Sequence, residues 1–374
     1  MLKQCRFCYA NVTDNPILSL EKQPSSAQGF CTNQTDARRT IHIDIYQCTA
    51  CGLVQHLLPA VPYYKNVVRA VAYSDEMKKF RISQFKRLIT NFNLNEKPIL
   101  EIGSGRGEYL DLISSLGCNK LYALEHCGRN FEILREKGYY AHQGFLDENF
   151  CSIWSIKFDA ILTFNFMEHW PNIKEALLKM CNMLSHNGIG LFEVPNFDYM
   201  VKNNLYSEFT ADHIYYFTEE SFRRILSVSG FEVLDLKSVW GDYILSALVR
   251  KRAVNNLSLM SKKKESDKIR LIKYLSERPG ITAVWGAGHQ AMSILSLINA
   301  QNYVEFIVDS ASFKQNKFCP GTGLPIYPPD YLLENTPKTL IIMAAAYSQE
   351  ILRIASANYQ HIEEIRIFDE NGLH

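Results

Sequence analysis

The sequence predicts an α/β protein built on a doubly wound sheet, with a small metal-binding module before it and a second Rossmann-like α/β domain after it. Two Cys-x-x-Cys pairs near the N-terminus indicate the module. Two separate apolar runs, each followed by a glycine-rich turn and a helical pattern, indicate the two α/β domains. We expect the boundaries to define domains 1–65, 66–255 and 256–374.

Composition narrows the class of protein. A chain of 374 residues with 47% hydrophobic and 21% charged residues is typical of a globular protein with several domains. The chain has 40 basic and 39 acidic residues, which gives a net charge of +1. A net charge this small gives no reason to expect nucleic acid or an anionic membrane as partner. No apolar run approaches the roughly 18 residues of a membrane span, and "MLKQCRFCYA" lacks a secretory signal. We therefore expect a cytoplasmic protein.

The first element is the pair of cysteine knuckles, "CRFC" with Cys5 and Cys8 and "CTAC" with Cys48 and Cys51. Each knuckle places two thiolates at two corners of a tetrahedron, and together they fill the closed shell of a structural zinc site. The segment between them is short on large apolar residues, so the metal is expected to supply folding free energy. Four free thiols are the alternative; a catalytic zinc is not expected, because no ligand position stays open.

The second element is "KPILEIGSGRGEYLDLISSLG", which predicts a buried parallel strand, a turn and a helix. Its Gly103, Gly105 and Gly107 let the backbone approach a ligand and adopt positive φ angles. Glu101 ends the strand directly before the turn. Its charge would repel a phosphate and attract the cationic group of a methionine-like ligand.

The next strands supply further candidate residues. "KLYALEH" places Glu125 about 20 residues beyond the glycine turn, where an acid can accept both hydroxyls of a ribose. In the following loop, "HQGFLDENF", Phe145 and Leu146 are expected to flank an adenine. "FDAILTFNFMEHW" and "GIGLFEVPNF" complete the pattern with two more strands and loops. A dinucleotide-binding domain with the same glycines is the alternative interpretation.

Residues 80–250 resemble a class I S-adenosylmethionine-dependent methyltransferase, on the motif "LEIGSGRG" and the acid after the next strand. The resemblance implies that Glu101, Gly103 and Gly105 line the methionine half of the cofactor and that Glu125 holds its ribose. It also implies that four more residues lie near the cofactor: Gln143, Gly144, Phe145 and Asn165. The acid-histidine pair in "MEHW" is interpreted as shaping this pocket, with a catalytic role as the alternative.

The C-terminal third repeats the strand, turn and helix pattern in "ITAVWGAGHQAMSILSLIN", after a basic junction at 249–268. Gly286, Gly288 and the later Asp309 match a G-x-G-x-x-A fingerprint with its acid. A helix N-terminus after glycines can hold a phosphate, so these three are candidate substrate-binding residues in a pocket for a nucleotide or its diphosphate. A purely structural Rossmann remnant is the alternative.

The order of the three parts resembles the sugar C-methyltransferases that act on nucleotide-linked keto-deoxysugars, with "CGLVQ", "DHIYYF" and "VDSASFKQNKFCPGTGLPI" as matching stretches. The resemblance implies a structural zinc and a base in an acid-histidine-x-x-tyrosine-phenylalanine stretch, here Asp212, His213 and Tyr216. The family more often has Glu at the position of Asp212 and Tyr at that of Thr210. Its serine-rich stretch is reduced to "AYSDEM", which keeps Tyr73.

A sugar carbon becomes a nucleophile only when it lies next to a ketone and loses its proton. His213, with an ordinary pKa near 6.5, suits that base role, and Tyr216 or Tyr73 would donate a hydrogen bond to the enolate oxygen. Support of His213 by Asp212 is a hypothesis, and a satisfied polar loop histidine is the structural alternative. The competing functions are O-methylation of a sugar or another small metabolite, and a catalytically idle cofactor-binding protein.

Overall fold

The computed structural model describes residues 3–66, 74–147, 150, 154–278 and 280–374. The chain forms two compact units, the first ending at Ala253 and the second beginning at Val254. The cysteine module and the first glycine turn both belong to the first unit. Among the described helices, none combines the length and apolar character needed to cross a membrane.

The described residues of the first unit form both strands and helices. Its strands are β1 (Leu18–Pro24), β2 (Thr40–Gln47), β3 (Val54–His56), β4 (Ile99–Ile102), β5 (Leu121–Glu125), β6 (Tyr140–Gln143), β7 (Phe158–Phe164), β8 (Leu184–Pro195), β9 (Tyr215–Tyr216), β10 (Phe231–Val239) and β11 (Ile244–Lys251). Its helices are α1 (Gln34–Ala37), α2 (Asp75–Phe92), α3 (Glu108–Ser115), α4 (Gly128–Glu136), α5 (Ile173–Met183), α6 (Phe197–Lys202) and α7 (Glu219–Val228).

The central sheet of this unit has seven strands in the order β10-β11-β8-β7-β4-β5-β6. Strand β11 runs antiparallel to both of its neighbours, and the pairs from β8 to β6 are parallel. The strand order reverses between β4 and β7, so the loops after these two strands diverge there and leave a crevice at the carboxyl edge. This confirms the doubly wound sheet predicted from the glycine-turn motif.

A second, four-stranded antiparallel sheet has the order β1-β2-β3-β9. Three of its strands come from the cysteine module, whereas β9 lies within the downstream stretch "TADHIYYF". Val54 pairs with Tyr216, and Gln55 pairs with Tyr215. The stretch predicted to carry the catalytic residues is therefore the edge strand of the N-terminal sheet.

Helix α2 packs on the central sheet through a buried ion pair. Ser74 caps its N-terminus by accepting a hydrogen bond from the Met77 amide. Arg81 Nη1 lies 2.6 Å from Glu193 Oε2, and the two side chains are 1% and 0% exposed. The guanidinium carbon also lies 4.6 Å from the centre of the Phe164 ring. A buried charge pair of this kind fixes the position of α2 on the strands.

The second unit is another doubly wound sheet, in the order β14-β15-β13-β12-β16-β17-β18. Its elements are α8 (Ser258–Ser276), β12 (Thr282–Trp285), α9 (His289–Leu297), β13 (Phe306–Val308), β14 (Lys317–Phe318), β15 (Pro325–Tyr327), α10 (Tyr331–Glu334), β16 (Thr339–Ile342), α11 (Ser348–Asn358), β17 (Glu364–Asp369) and β18 (Gly372–Leu373). The five inner strands are parallel and the two edge strands are antiparallel. This confirms the second Rossmann-like domain.

Candidate cofactor and proton-transfer site

The glycine turn after β4 has the conformation that its glycines allow. Gly103, Gly105 and Gly107 have φ angles of +70°, +58° and +81°, in the left-handed region that side chains disfavour. A Cβ atom on Gly103 would lie 2.4 Å from a ring carbon of Phe166, which follows β7. The turn after β4 and the loop after β7 therefore touch, with room only for glycine at this contact.

Glu125 connects the ends of β4 and β5. Its Oε2 accepts a hydrogen bond of 2.8 Å from the Gly105 amide, and its Oε1 accepts one of 2.9 Å from the Cys127 amide. An oxygen of a carboxylate has two lone pairs and can accept more than one hydrogen bond. The buried acid can therefore hold the glycine turn and still accept the hydroxyls of a ribose.

The other predicted cofactor residues lie on the same edge of the sheet. Glu101 is fully buried at the end of β4. The Gly144 amide donates to the Glu125 carbonyl at 3.0 Å, and Gln143 Nε2 donates to the His126 carbonyl at 3.2 Å. These contacts hold the loop after β6 beside the loop after β5.

Of the two remaining predicted cofactor residues, Phe145 packs against the loop after β7 and Asn165 belongs to that loop. The Phe145 ring meets the Phe166 ring edge-on, with 5.8 Å between centroids. Asn165 has a φ angle of +48°, and its amide donates to the Glu193 carbonyl at 2.9 Å. Its Oδ1 is buried and accepts no hydrogen bond from the residues that the structure describes. A buried acceptor of this kind fits a cationic or N–H group of a bound cofactor.

We expect Gly103→Ala to weaken S-adenosylmethionine binding about tenfold, since overpacking against Phe166 costs about 1–3 kcal/mol. Gly138→Ala is the matched control, because Gly138 also has a positive φ angle, +83°, and a Cβ there would meet nothing within 4 Å. Isothermal titration of both variants measures the affinity. Equal affinities in the two variants would contradict the role of the Gly103 contact.

The structure brings the two acid-histidine pairs together. Met167–His169 form a short 3-10 turn after β7. The Ile214 amide donates to the Glu168 carbonyl at 2.8 Å, and His169 Nδ1 lies 2.8 Å from the Asp212 carbonyl. The His169 and His213 rings are consequently 4.8 Å apart between centroids. One carboxylate oxygen of Glu168 and one ring nitrogen each of His169 and His213 lie within 4.8 Å of one another.

Glu168 and His169 are buried, His213 is partly buried, and desolvation keeps all three side chains uncharged at neutral pH. Desolvation raises the pKa of Glu168 to about 8 and lowers the pKa of His169 to about 4. Burial, and then the neighbouring His169, lower the pKa of His213 to about 3. Because His169 Nδ1 faces a backbone carbonyl, that nitrogen carries the proton, and Nε2 keeps its lone pair. The His213 ring has no hydrogen-bond partner among the described side chains and backbone groups.

The remaining predicted catalytic residues have other contacts. The Asp212 carboxylate accepts hydrogen bonds from the Tyr63 hydroxyl and the Ala27 amide, both at 2.6 Å, and forms no hydrogen bond with His213. The Tyr216 hydroxyl accepts from the Thr210 amide at 3.0 Å. Tyr73 lies outside the described residues.

The sequence analysis interpreted the acid-histidine pair Glu168–His169 as shaping the pocket, with a catalytic role as the alternative, and it did not single out Tyr63. The signal for the first two was present, because "MEHW" is a second acid-histidine pair at the end of a parallel strand.

The cysteines of the two knuckles converge. Cys5 Sγ lies 3.7 Å from Cys51 Sγ, Cys8 Sγ lies 3.4 Å from Cys48 Sγ, and all four sulfur atoms lie within 4.8 Å of one another. A tetrahedral zinc with Zn–S bonds of about 2.3 Å needs sulfur atoms about 3.8 Å apart. All four are free thiols rather than disulfides. The set therefore fits a closed four-thiolate shell.

The glycine turn of the second unit resembles that of the first. Gly286 has a φ angle of +121°, and a Cβ there would lie 2.5 Å from the Met343 carbonyl oxygen. Asp309 Oδ2 accepts from the Ala287 amide at 2.7 Å and pairs with Lys314 at 2.9 Å. Asp309 thus holds the turn, as Glu125 does in the first unit.

A cavity of about 740 Å³ lies beside this turn, where the N-termini of α9 and α11 meet. Gly288 is the N-cap residue of α9. The polar lining residues are His289, Gln290, Ser293, Ser348, Gln349, Asp369 and Glu370, so two carboxylates lie at the cavity together with the helix N-termini. Asp309 is not among the lining residues, whereas Gly288 directly precedes one of them.

Comparison with protein families gives two matches in the order expected. A family described as "Methyltransferase domain" matches residues 76–236, and one described as "C-methyltransferase C-terminal domain" matches residues 252–363. The C-methyltransferase NovU of Streptomyces niveus is 21% identical over 212 residues, which are 49% of this chain and 50% of that protein. The chain thus matches about half the length of this curated relative.

Solved structures with similar folds include the plantazolicin methyltransferase BpumL with SAH, at 15% identity and a TM-score of 0.38, covering 46% of this chain and 84% of that one. Another is an S-adenosylmethionine-dependent methyltransferase from Clostridium acetobutylicum, at 15% identity and a TM-score of 0.39, covering 51% and 96%. The predicted resemblance to S-adenosylmethionine-dependent C-methyltransferases is confirmed by the two family matches.

Proposed function

We propose that this S-adenosylmethionine-dependent methyltransferase transfers its methyl group to a carbon atom of a nucleotide-linked keto-deoxysugar, through an enolate formed by His213. The observation that carries the proposal is the His213 ring itself. It is uncharged, it has no hydrogen-bond partner in the described part of the chain, and it lies against His169. His169 in turn contacts Phe166, which packs on the cofactor turn at Gly103.

The first unit offers groups that suit each part of the cofactor. Glu125 accepts the ribose hydroxyls, Phe145 packs beside the adenine, and Glu101 with Asn165 faces the methionine half. When bound, the cofactor supplies an electrophilic methyl group on a sulfonium. The predicted lining Gly103, Gly105, Gly107, Gln143 and Gly144 provides backbone and amide contacts around it.

His213 then acts on the carbon next to the ketone. Its unprotonated nitrogen takes the C–H proton, and the bonding electron pair moves into the enolate. The enolate carbon forms the new bond to the methyl carbon, the S–CH₃ bond breaks, and the ketone is restored. The proton stays on the imidazole until it leaves to solvent. A pKa of about 3 makes the free imidazole a weak base, so the adjacent enolate charge must stabilise the imidazolium as it forms.

The low pKa of His213 has a consequence for pH dependence. An ordinary histidine loses base activity below pH 6.5, whereas His213 protonates only near pH 3. We therefore expect kcat to stay level from pH 7 down to pH 5, a range in which Glu168 stays protonated and His213 stays unprotonated. As pH falls through 8, the folded chain binds a proton on Glu168 that an unfolded chain does not, which raises stability; below pH 6.5 the unfolded chain takes up protons on His169 and His213 that the folded chain refuses, which opposes that gain. A kcat profile that halves near pH 6.5 would contradict the buried environment of the base.

We assign the nucleotide or its diphosphate to the cavity of the second unit. Helices α9 and α11 direct their N-termini at it, and such termini bind phosphate groups. Gly286 and Gly288 shape the turn, and Asp309 holds it. Nucleoside diphosphates are titrated onto the wild-type protein and onto Ser348→Glu, which adds a third carboxylate to Asp369 and Glu370 of the lining. We expect weaker binding by the variant, and equal affinities would contradict this assignment.

The four-cysteine cluster is proposed to hold a structural zinc ion. A closed thiolate shell leaves no position for substrate, so the ion stabilises the N-terminal sheet rather than taking part in the reaction. We expect metal analysis to give one zinc per chain and Cys48→Ser to give none. Retention of one zinc per chain in that variant would contradict the site.

The methyl acceptor is tested with S-adenosylmethionine and a panel of nucleotide-linked 4-keto-6-deoxysugars. Mass spectrometry detects transfer, and NMR locates the new methyl group. A methyl on carbon supports the proposal, whereas a methyl on oxygen supports O-methylation, in which His213 would deprotonate a hydroxyl. Cofactor binding without any transfer would point to an idle cofactor-binding protein or to an acceptor outside this class.

A further inference from the structure

We propose that Asp212 is a positioning residue: it fastens the His213 loop to the N-terminal cysteine module through Tyr63 and Ala27, and it does not act on the His213 ring directly. The kinetic part of this inference rests on the function proposed above, and its conformational part does not. It replaces the hypothesis of an Asp212–His213 catalytic pair.

The Asp212 carboxylate is buried, with 2% of the residue exposed, and both oxygens are used. Oδ1 accepts a 2.6 Å hydrogen bond from the Tyr63 hydroxyl, and Oδ2 accepts one of 2.6 Å from the Ala27 amide. The Tyr63 hydroxyl also accepts from the Gln28 amide at 3.1 Å. The carboxylate is therefore the centre of a small network in which every other member belongs to the N-terminal 66 residues.

The backbone on both sides of His213 is held by the same module. His56 Nε2 lies 3.2 Å from the Ala211 carbonyl, and the His56 amide donates to the Ile214 carbonyl at 3.2 Å. Beyond Ile214, Tyr215 pairs with Gln55 in the sheet. From the other side, His169 Nδ1 meets the Asp212 carbonyl. The loop is thus held between the module and the turn after β7.

His213 itself lacks a comparable support. No hydrogen bond to its ring is formed by the described residues, so the direction of the ring depends on its backbone. Hydrogen bonds to a charged, buried carboxylate are the strong members of such a network. A reacting group displaced by about 1 Å can lose a factor of about 100 in rate. Tyr63 is distant from His213 in sequence. Loss of its hydroxyl is nevertheless expected to slow the reaction, because it would displace the backbone that directs the His213 ring.

The test is a double-mutant cycle on Tyr63→Phe and Asp212→Asn. We expect Tyr63→Phe to lower kcat about tenfold and Asp212→Asn about 100-fold, with S-adenosylmethionine affinity unchanged in both. The double variant should be no slower than Asp212→Asn, because Tyr63→Phe removes a hydrogen bond to Asp212 that Asp212→Asn already disrupts. Tyr46→Phe is the control, since it removes another bonded hydroxyl of the same module, one that contacts Lys3 and Asp44.

Wild-type kcat in Tyr63→Phe together with a large loss in Asp212→Asn would overturn the inference, because Asp212 would then serve His213 directly. Hydrogen–deuterium exchange provides a readout that needs no substrate. Amides 210–217 should exchange faster in both variants than in the wild type and in Tyr46→Phe. Unchanged exchange in Asp212→Asn would overturn the inference even if the acceptor sugar had been misassigned.

Discussion

Replacement of His213 by Asn is expected to lower kcat for methyl transfer by about 10³-fold, within the usual contribution of a positioned general base. The amide side chain is similar in size but cannot take up the C–H proton. S-adenosylmethionine affinity should be unchanged, because the residues assigned to the cofactor lie on the ends of β4 to β7. Steady-state kinetics and calorimetric titration measure the two quantities separately.

The control is His186→Asn, at an exposed histidine on β8, which should leave kcat within a factor of two of the wild type. A His213→Asn variant that keeps more than a tenth of wild-type turnover would show that another group removes the proton. His169 would be the first to consider, since its ring centroid lies 4.8 Å from that of His213.

Replacement of Arg81 by Met has the largest expected effect on stability, about 3–5 kcal/mol in the free energy of unfolding. Met keeps the apolar contacts with the Phe164 ring but leaves the Glu193 carboxylate buried without its cation. Gln84 and Ser246 still donate to Glu193 Oε1, and they carry no charge to replace the guanidinium. Denaturant unfolding followed by circular dichroism measures the change.

Arg87→Met is the matched control, since Arg87 is exposed on the same helix and should cost no more than about 0.5 kcal/mol. Equal stabilities for the two variants would show that the buried pair does not hold α2 on the sheet. Restoring stability in Arg81→Met by adding Glu193→Gln would support the charge as the cause.

The cofactor half of the site was predictable because its signals are local. Gly103 and Glu125 each follow a buried strand, and parallel strands place their carboxyl ends at one edge. The structure accordingly joins them through the Gly105 amide. The order of strands, turns and helices can be predicted from local sequence patterns, without information on contacts between residues distant in sequence.

The histidine cluster was not predictable in the same way. His169 and His213 meet because β9 joins the sheet of the cysteine module and the Ile214 amide bonds the Glu168 carbonyl. Neither contact has a sequence pattern of its own. The sequence suggested support of His213 by Asp212 from adjacency and from the family resemblance, but adjacent side chains need not meet, and the chain bends at Asp212. The Asp212 carboxylate accordingly faces Tyr63.

The pKa of His213 could not be predicted from the sequence either. An ordinary histidine value near 6.5 assumes a solvated ring, but burial beside His169 lowers the pKa of His213 to about 3. Desolvation depends on how completely the surrounding elements close over the ring. That closure is a property of tertiary packing rather than of the motif.

The most direct test of the account is solvent exchange at the carbon next to the ketone. A nucleotide-linked 4-keto-6-deoxysugar is incubated in deuterated water with the protein and S-adenosylhomocysteine, which has no methyl group to transfer. We expect the wild type to exchange this one hydrogen at a rate at least 100 times that of His213→Asn. Methyl transfer to the sugar without any exchange in the wild type would contradict enolate formation by His213.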